Sequence, residues 1–154
     1  MQVKRVMAVA LAAVLAASVL AGLALAAAKP TKPATVKVRN TKLGKIVVDG
    51  PARTLYLFEK DKNGKSSCSG ACAKAWPPLL TKGKPKAGTG AQASRLGTTR
   101  RSDGTTQVTY GGHPLYTFAP DKNKPGSTKG QGVDGFGAEW YVVGPNGKAV
   151  EEQG

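Results

Sequence analysis

The sequence predicts an all-β protein: a small antiparallel β domain, sandwich-like or barrel-like, built from two tandem repeats with one short helical turn. Three observations carry this. Twenty Gly and ten Pro among 154 residues disfavour a helical bundle and mark many turns. Between those turns lie short runs rich in β-branched and aromatic residues. The chain also repeats itself at an offset of 60: residues 54–63, TLYLFEKDKN, align without a gap on residues 114–123, PLYTFAPDKN, sharing Leu, Tyr, Phe, Asp, Lys and Asn. A Trp follows each copy, Trp76 and Trp140. One such unit is too small to bury its own apolar face, and two copies packed together could share one core.

Residues 1–28 read as a secretory signal. Lys4 and Arg5 precede an uncharged run from Val6 to Ala28 that ends in small-residue A-x-A patterns. The run could span a bilayer, but it is rich in Ala, and Lys29, Lys32, Lys37 and Arg39 follow it, which favours cleavage over a retained anchor. No transmembrane segment is expected after cleavage. Residues 29–40, KPTKPATVKVRN, read as a Lys/Pro/Thr tether, and 41–154 as the repeat domain, with copies at about 43–80 and 96–150.

Within the domain, Lys45–Asp49 is β-rich and meets the Gly50-Pro51 turn. Residues 54–58 form a second β run; its Leu57 breaks strict alternation, so both faces should be covered. Residues 69–75 allow one short helical turn, stopped by Pro77-Pro78. Arg101–Gly104 sets up a hairpin into Thr105–Tyr110, and Gly111-Gly112 turns that strand into 114–118. The glycine-rich stretch 126–137 reads as a long loop, and Glu139–Val143 as a last strand ended by a Gly-Pro-Asn-Gly turn.

Tyr56-x-Phe58-x-x-Asp61 and Tyr116-x-Phe118-x-x-Asp121 carry a resemblance to the Y-x-[FWY]-x-x-D motif of a bacterial family of secreted repeats and predicted lipoproteins. Cys68-x-x-x-Cys72 leading to Trp76-Pro77-Pro78, Gln107 and Tyr110 in Asp103–Tyr110, and Gly130-Gln131-Gly132 before Trp140 agree with it. The resemblance covers about residues 43–150. This chain departs from it in having no Cys for lipid attachment at the end of the apolar run. The resemblance implies an exported protein of the bacterial cell envelope and brings no catalytic residues with it.

Cys68 and Cys72 are expected to form a disulfide, since export places them in an oxidising space. A redox-active pair would need a lowered thiol pKa, and with His113 they make only three zinc ligands. His113, the only His, reads as an exposed loop residue; as a copper or haem ligand it would find no Met in residues 29–154 and no C-x-x-C-H. No cofactor is expected. No catalytic constellation emerges either. Asp61 and Asp121 could be imagined as paired carboxylates, but the Lys-Asn after each favours a turn-capping role that Asn would fill at little cost. Tyr56, Phe58, Tyr116 and Phe118 read as core rather than a ligand platform.

Charge is the remaining clue. The chain carries +14, or +12 once Lys4 and Arg5 leave with the signal. Lys82, Lys84 and Lys86 alternate in one loop, and Arg95, Arg100 and Arg101 follow. Such a balance favours anionic cell-wall polymers or lipid head groups, beside a bland role in solubility. Nucleic acid is a poor match for an exported chain. The sequence therefore points to a non-enzymatic envelope module on an anionic surface, with an envelope redox or metal-binding accessory protein as the alternative. Oligomeric state is not legible.

Overall fold

The computed structural model of the protein describes residues 28–151. The expected signal segment, apart from Ala28, lies outside the described residues. In chain order the strands are β1 (Thr35–Thr41), β2 (Gly44–Asp49), β3 (Tyr56–Phe58), β4 (Lys86–Ala87), β5 (Leu96–Arg100), β6 (Thr106–Tyr110), β7 (His113–Pro114), β8 (Val133–Gly135) and β9 (Ala138–Val142); helix α1 (Ala71–Ala75) falls between β3 and β4.

The strands form three small sheets, ordered β2-β1-β4, β3-β9-β8 and β5-β6-β7, which do not close into a barrel among the described residues. All pairings are antiparallel except β1 with β4. Four expectations change. The strand expected over 114–118 stops at Pro114, and Tyr116 keeps only isolated bridges to Tyr56 and Pro78. The tether expected over residues 29–40 is strand from Thr35 onward, because Val36 and Val38 pair with Asp49 and Val47 of β2 and Val36 is fully buried. The expected loop 126–137 contains β8, which pairs with β9 even though two of its three residues, Asp134 and Gly135, are poor strand formers. The expected helical turn at 69–75 begins at Ala71.

The two copies are interleaved. β3 of the first pairs with β9 of the second, setting Tyr56 opposite Val142 and Phe58 opposite Trp140. Tyr56 and Tyr116 exchange backbone hydrogen bonds at 2.8 and 3.0 Å. β3 separates two core clusters: Tyr56 and Phe58 enter one with Trp76, Tyr116 and Trp140, while Leu55 and Leu57 enter the other with Val108, Tyr110 and Leu115. Both faces of that run are covered, as its broken alternation predicts. Burying each large ring contributes about 1.5 to 3 kcal/mol, and here the two copies bury one another's rings.

Candidate functional site

The repeated side chains meet at one place. β3 directs Tyr56 and Phe58 to the same side, as strand geometry requires of residues two apart. Trp76 ends α1, whose start is clasped by the Cys68–Cys72 disulfide. Phe118 and Asp121 bracket a 3₁₀ turn over Ala119–Asp121, and Trp140 is fixed by β9.

Four rings stack in the order Phe58, Trp140, Trp76, Phe118. Centroid separations are 3.9, 4.0 and 4.0 Å, and the two indoles lie within 2° of parallel. Tyr56 meets Trp76 edge-on at 5.3 Å, and Tyr116 meets Trp140 edge-on at 5.1 Å. Gly130 closes over this group. A Cβ there would fall 2.8 Å from both Trp76 and Tyr56, so only glycine allows the approach.

The carboxylates are exchanged between copies. Tyr56 Oη donates to Asp121 Oδ2 at 2.6 Å, and Tyr116 Oη donates to Asp61 Oδ2 at 2.6 Å. The other oxygen of each Asp serves its own loop. Asp61 Oδ1 accepts from the Ser67 N–H and hydroxyl at 2.7 and 2.8 Å; Asp121 Oδ1 accepts from the Ser127 hydroxyl at 2.6 Å and the Lys129 N–H at 3.0 Å. The local half of this is the turn-capping expected. The cross-copy half changes the expectation that Asn would be tolerated cheaply. Asn at 121 would present an amide to Tyr56 or to the Ser127 hydroxyl and lose a charge-assisted acceptor. Burial, together with the facing carboxylate, raises the pKa of Tyr56 and of Tyr116 well above the ordinary tyrosine value.

The remaining motif residues frame this centre. Gln107 is fully buried; its Nε2 donates to the Leu115 carbonyl at 2.8 Å and its Oε1 accepts from Arg101 at 2.8 Å. Tyr110 Oη donates to the Pro145 carbonyl at 2.9 Å in the second cluster, away from the stack. His113 lies in β7 opposite Tyr110 and is half-buried, not an exposed loop residue as expected, because the β6–β7 hairpin continues through it. Burial lowers its pKa, opposed by the charges of Asp61 and Glu59. No group of three His, Cys, Asp or Glu that could hold a metal is found among the described residues.

Two features escaped the sequence reading. Arg101, counted there with the basic loop, is buried and turned inward. Its guanidinium donates to Ser66 Oγ at 2.9 Å and to the Cys68 carbonyl at 2.7 Å, tying β6's hairpin to the disulfide. Arginine in a turn gives no sign of this. The serines did leave a signal: Ser67 follows Asp61 by six residues and Ser127 follows Asp121 by six, so the repeat at offset 60 extends to them.

A family model described as a secreted repeat of unknown function matches residues 37–80 and 97–144. The chain belongs to this family: two secreted-repeat units, interleaved in one domain, in a protein that resides outside the cytoplasm. No curated protein and no solved structure gives a significant match. No helix among the described residues is long and apolar enough to cross a membrane.

Proposed function

We propose that this secreted repeat protein is a non-enzymatic module of the cell envelope that associates with anionic wall polymer or lipid head groups through its lysines. The observation that carries the reading is the separation of charge. Asp61 and Asp121 turn inward to hydroxyls, and the ion pairs among the described residues are Arg53–Asp49 and Arg101–Asp103. Lys42, Lys45, Lys82, Lys84, Lys86 and Lys148 are exposed and outside those pairs. The Lys82 N–H donates to the Lys32 carbonyl at 3.3 Å, and β4 brings Lys86 beside Thr35 of β1, so the basic loop and the basic N-terminal stretch share one edge. A depression of about 920 Å³ elsewhere is lined in part by Lys45 and Lys148. Unneutralised positive charge of this kind attracts polyanions and is screened by salt.

The test is retention of the protein on isolated cell walls. Retention at low salt that is lost in 1 M NaCl, where screening acts within about 3 Å, supports the reading. A Lys82→Gln, Lys84→Gln, Lys86→Gln variant should elute at lower salt. Retention indifferent to salt, or none at all, overturns it.

A further inference from the structure

The ring stack is built in a way that a purely apolar core does not require. Aromatic pairs favour edge-on or well-offset contacts with centroids about 4.5 to 7 Å apart, because parallel faces set like-signed quadrupoles against each other. Here three successive pairs stack at 3.9 to 4.0 Å, two of them within 7° of parallel and the third, Trp76 on Phe118, tilted by 26°. What neutral faces disfavour, a one-electron vacancy favours: a positive charge on one indole is attracted to the π face of the next. The two phenols raise a second question. A core needing only volume would carry Phe at 56 and 116, with no carboxylate to desolvate. Instead each phenolic O–H points at a carboxylate oxygen 2.6 Å away. Among the described residues neither Asp121 nor Asp61 has a cationic partner, although the chain is strongly basic. Asp121 is buried and held by neutral donors alone. Each phenol therefore has a ready proton acceptor and lies against an indole of the stack.

We propose that the interleaved repeats form a one-electron redox site that takes up an oxidising equivalent from an outer-sphere oxidant, an oxygen-derived radical or a high-potential metal complex, and holds it on Tyr56 or Tyr116. The half-buried Phe118 and the two indoles give the electron a continuous path of ring contacts outward from the phenols. In the step, one electron leaves the tyrosine and reduces the oxidant by one unit. The Oη–H bond breaks, and its proton forms an O–H bond on Asp121 Oδ2 or Asp61 Oδ2. The products are a neutral phenoxyl radical and a neutral carboxylic acid, so no net charge is left in the core. Return of one electron from an external reductant reverses both transfers. This activity is independent of the anionic-surface reading, and wall retention does not report on it.

The test uses the purified protein with a photogenerated tris(bipyridine)ruthenium(III) oxidant, followed by transient absorption and freeze-quench electron paramagnetic resonance. Wild type should show a neutral tyrosyl radical. A Tyr56→Phe, Tyr116→Phe double variant, which keeps both rings, should lose that signal and leave a tryptophan radical. Tyr110→Phe and Tyr141→Phe should leave it unchanged. An Asp61→Asn, Asp121→Asn variant with a wild-type-like circular dichroism spectrum should form the tyrosyl radical roughly a hundredfold more slowly, the scale of a lost positioned proton acceptor. A radical on Tyr141 or Tyr110, a tyrosyl signal that survives the double Phe variant, or no protein radical overturns the proposal. The Phe variants decide the matter should the Asn variant not fold.

Discussion

The two copies place equivalent side chains in one centre but support their tryptophans by different means. In the first, Trp76 follows a five-residue helix locked by the Cys68–Cys72 disulfide, whose Cys68 carbonyl accepts from Arg101. In the second, Trp140 sits inside β9, between β3 and β8, and its indole Nε1–H donates to the Gly135 carbonyl at 3.0 Å. A covalent staple in one copy does what a strand ladder does in the other. A helix this short is not stable by itself, so the first copy needs its staple. The second reaches the same ring position through backbone pairing and one indole hydrogen bond, with no covalent staple. The motif geometry is thus common to both copies, and the means of support is not.

The comparison breaks most completely at its centre. Trp140→Ala removes the ring that touches Phe58, Trp76 and Tyr116 together and should cost about 3 to 5 kcal/mol, comparable to the stability of a small domain. Thermal melting by circular dichroism should show no cooperative transition near that of wild type. Phe118→Ala, at the half-buried end of the stack, should be the milder of the two.

Alkaline pH strikes both copies equally. Tyr56 and Tyr116 hold raised pKa values when folded, so their stabilisation is complete below the unfolded tyrosine value of about 10 and is lost as pH rises beyond it. Each should lower stability by about 1.4 kcal/mol per pH unit above that point. Urea midpoints measured between pH 9 and 11.5 should fall steeply, and Tyr56→Phe should halve the slope. Tyr141, pushed up to about 12 chiefly by its hydrogen bond to Glu139, is only partly covered and should titrate without unfolding the protein.

Reduction of the disulfide should act first on the first copy, and on the second only through Arg101 and the Trp76–Trp140 contact. Closing a loop this short contributes about 2 kcal/mol in the chain-entropy model, and Cys68→Ser, Cys72→Ser should lower the melting midpoint accordingly. Fluorescence of a Trp140→Phe background, which reports Trp76, should change more on reduction than that of a Trp76→Phe background. Equal changes would mean that the staple supports the whole centre rather than its own copy.

The smallest effect lies at the tip of the second copy's hairpin. Phe136 is exposed and has a φ of 62°, a left-handed conformation that strains a bulky residue. Phe136→Asn should therefore raise stability, by up to about 1 kcal/mol. A fall instead would show that the ring makes a contact in solution that holds β8 to β9.

The repeat and the two carboxylate–aromatic motifs were legible in the chain because each is local: a fixed offset, and turn residues after a β run. The disulfide was legible for the same reason, as two thiols four residues apart. Three things were not. The strand at Thr35–Thr41 hides in a Lys- and Pro-flanked stretch, since its two valines gain burial only once β2 folds back on them. The inward turn of Arg101 depends on acceptors at Ser66 and Cys68, 35 and 33 residues away. Above all, the pairing of Tyr56 with Asp121 and Tyr116 with Asp61 joins residues 65 and 55 apart. Within either copy the Asp looks like a turn cap, and half of it is. Its second oxygen finds a phenol only because β3 of one copy pairs with β9 of the other, which buries the two aromatic faces together. The local pattern thus determined which residues form the centre. Burial of one copy's apolar face against the other's decided which of them touch.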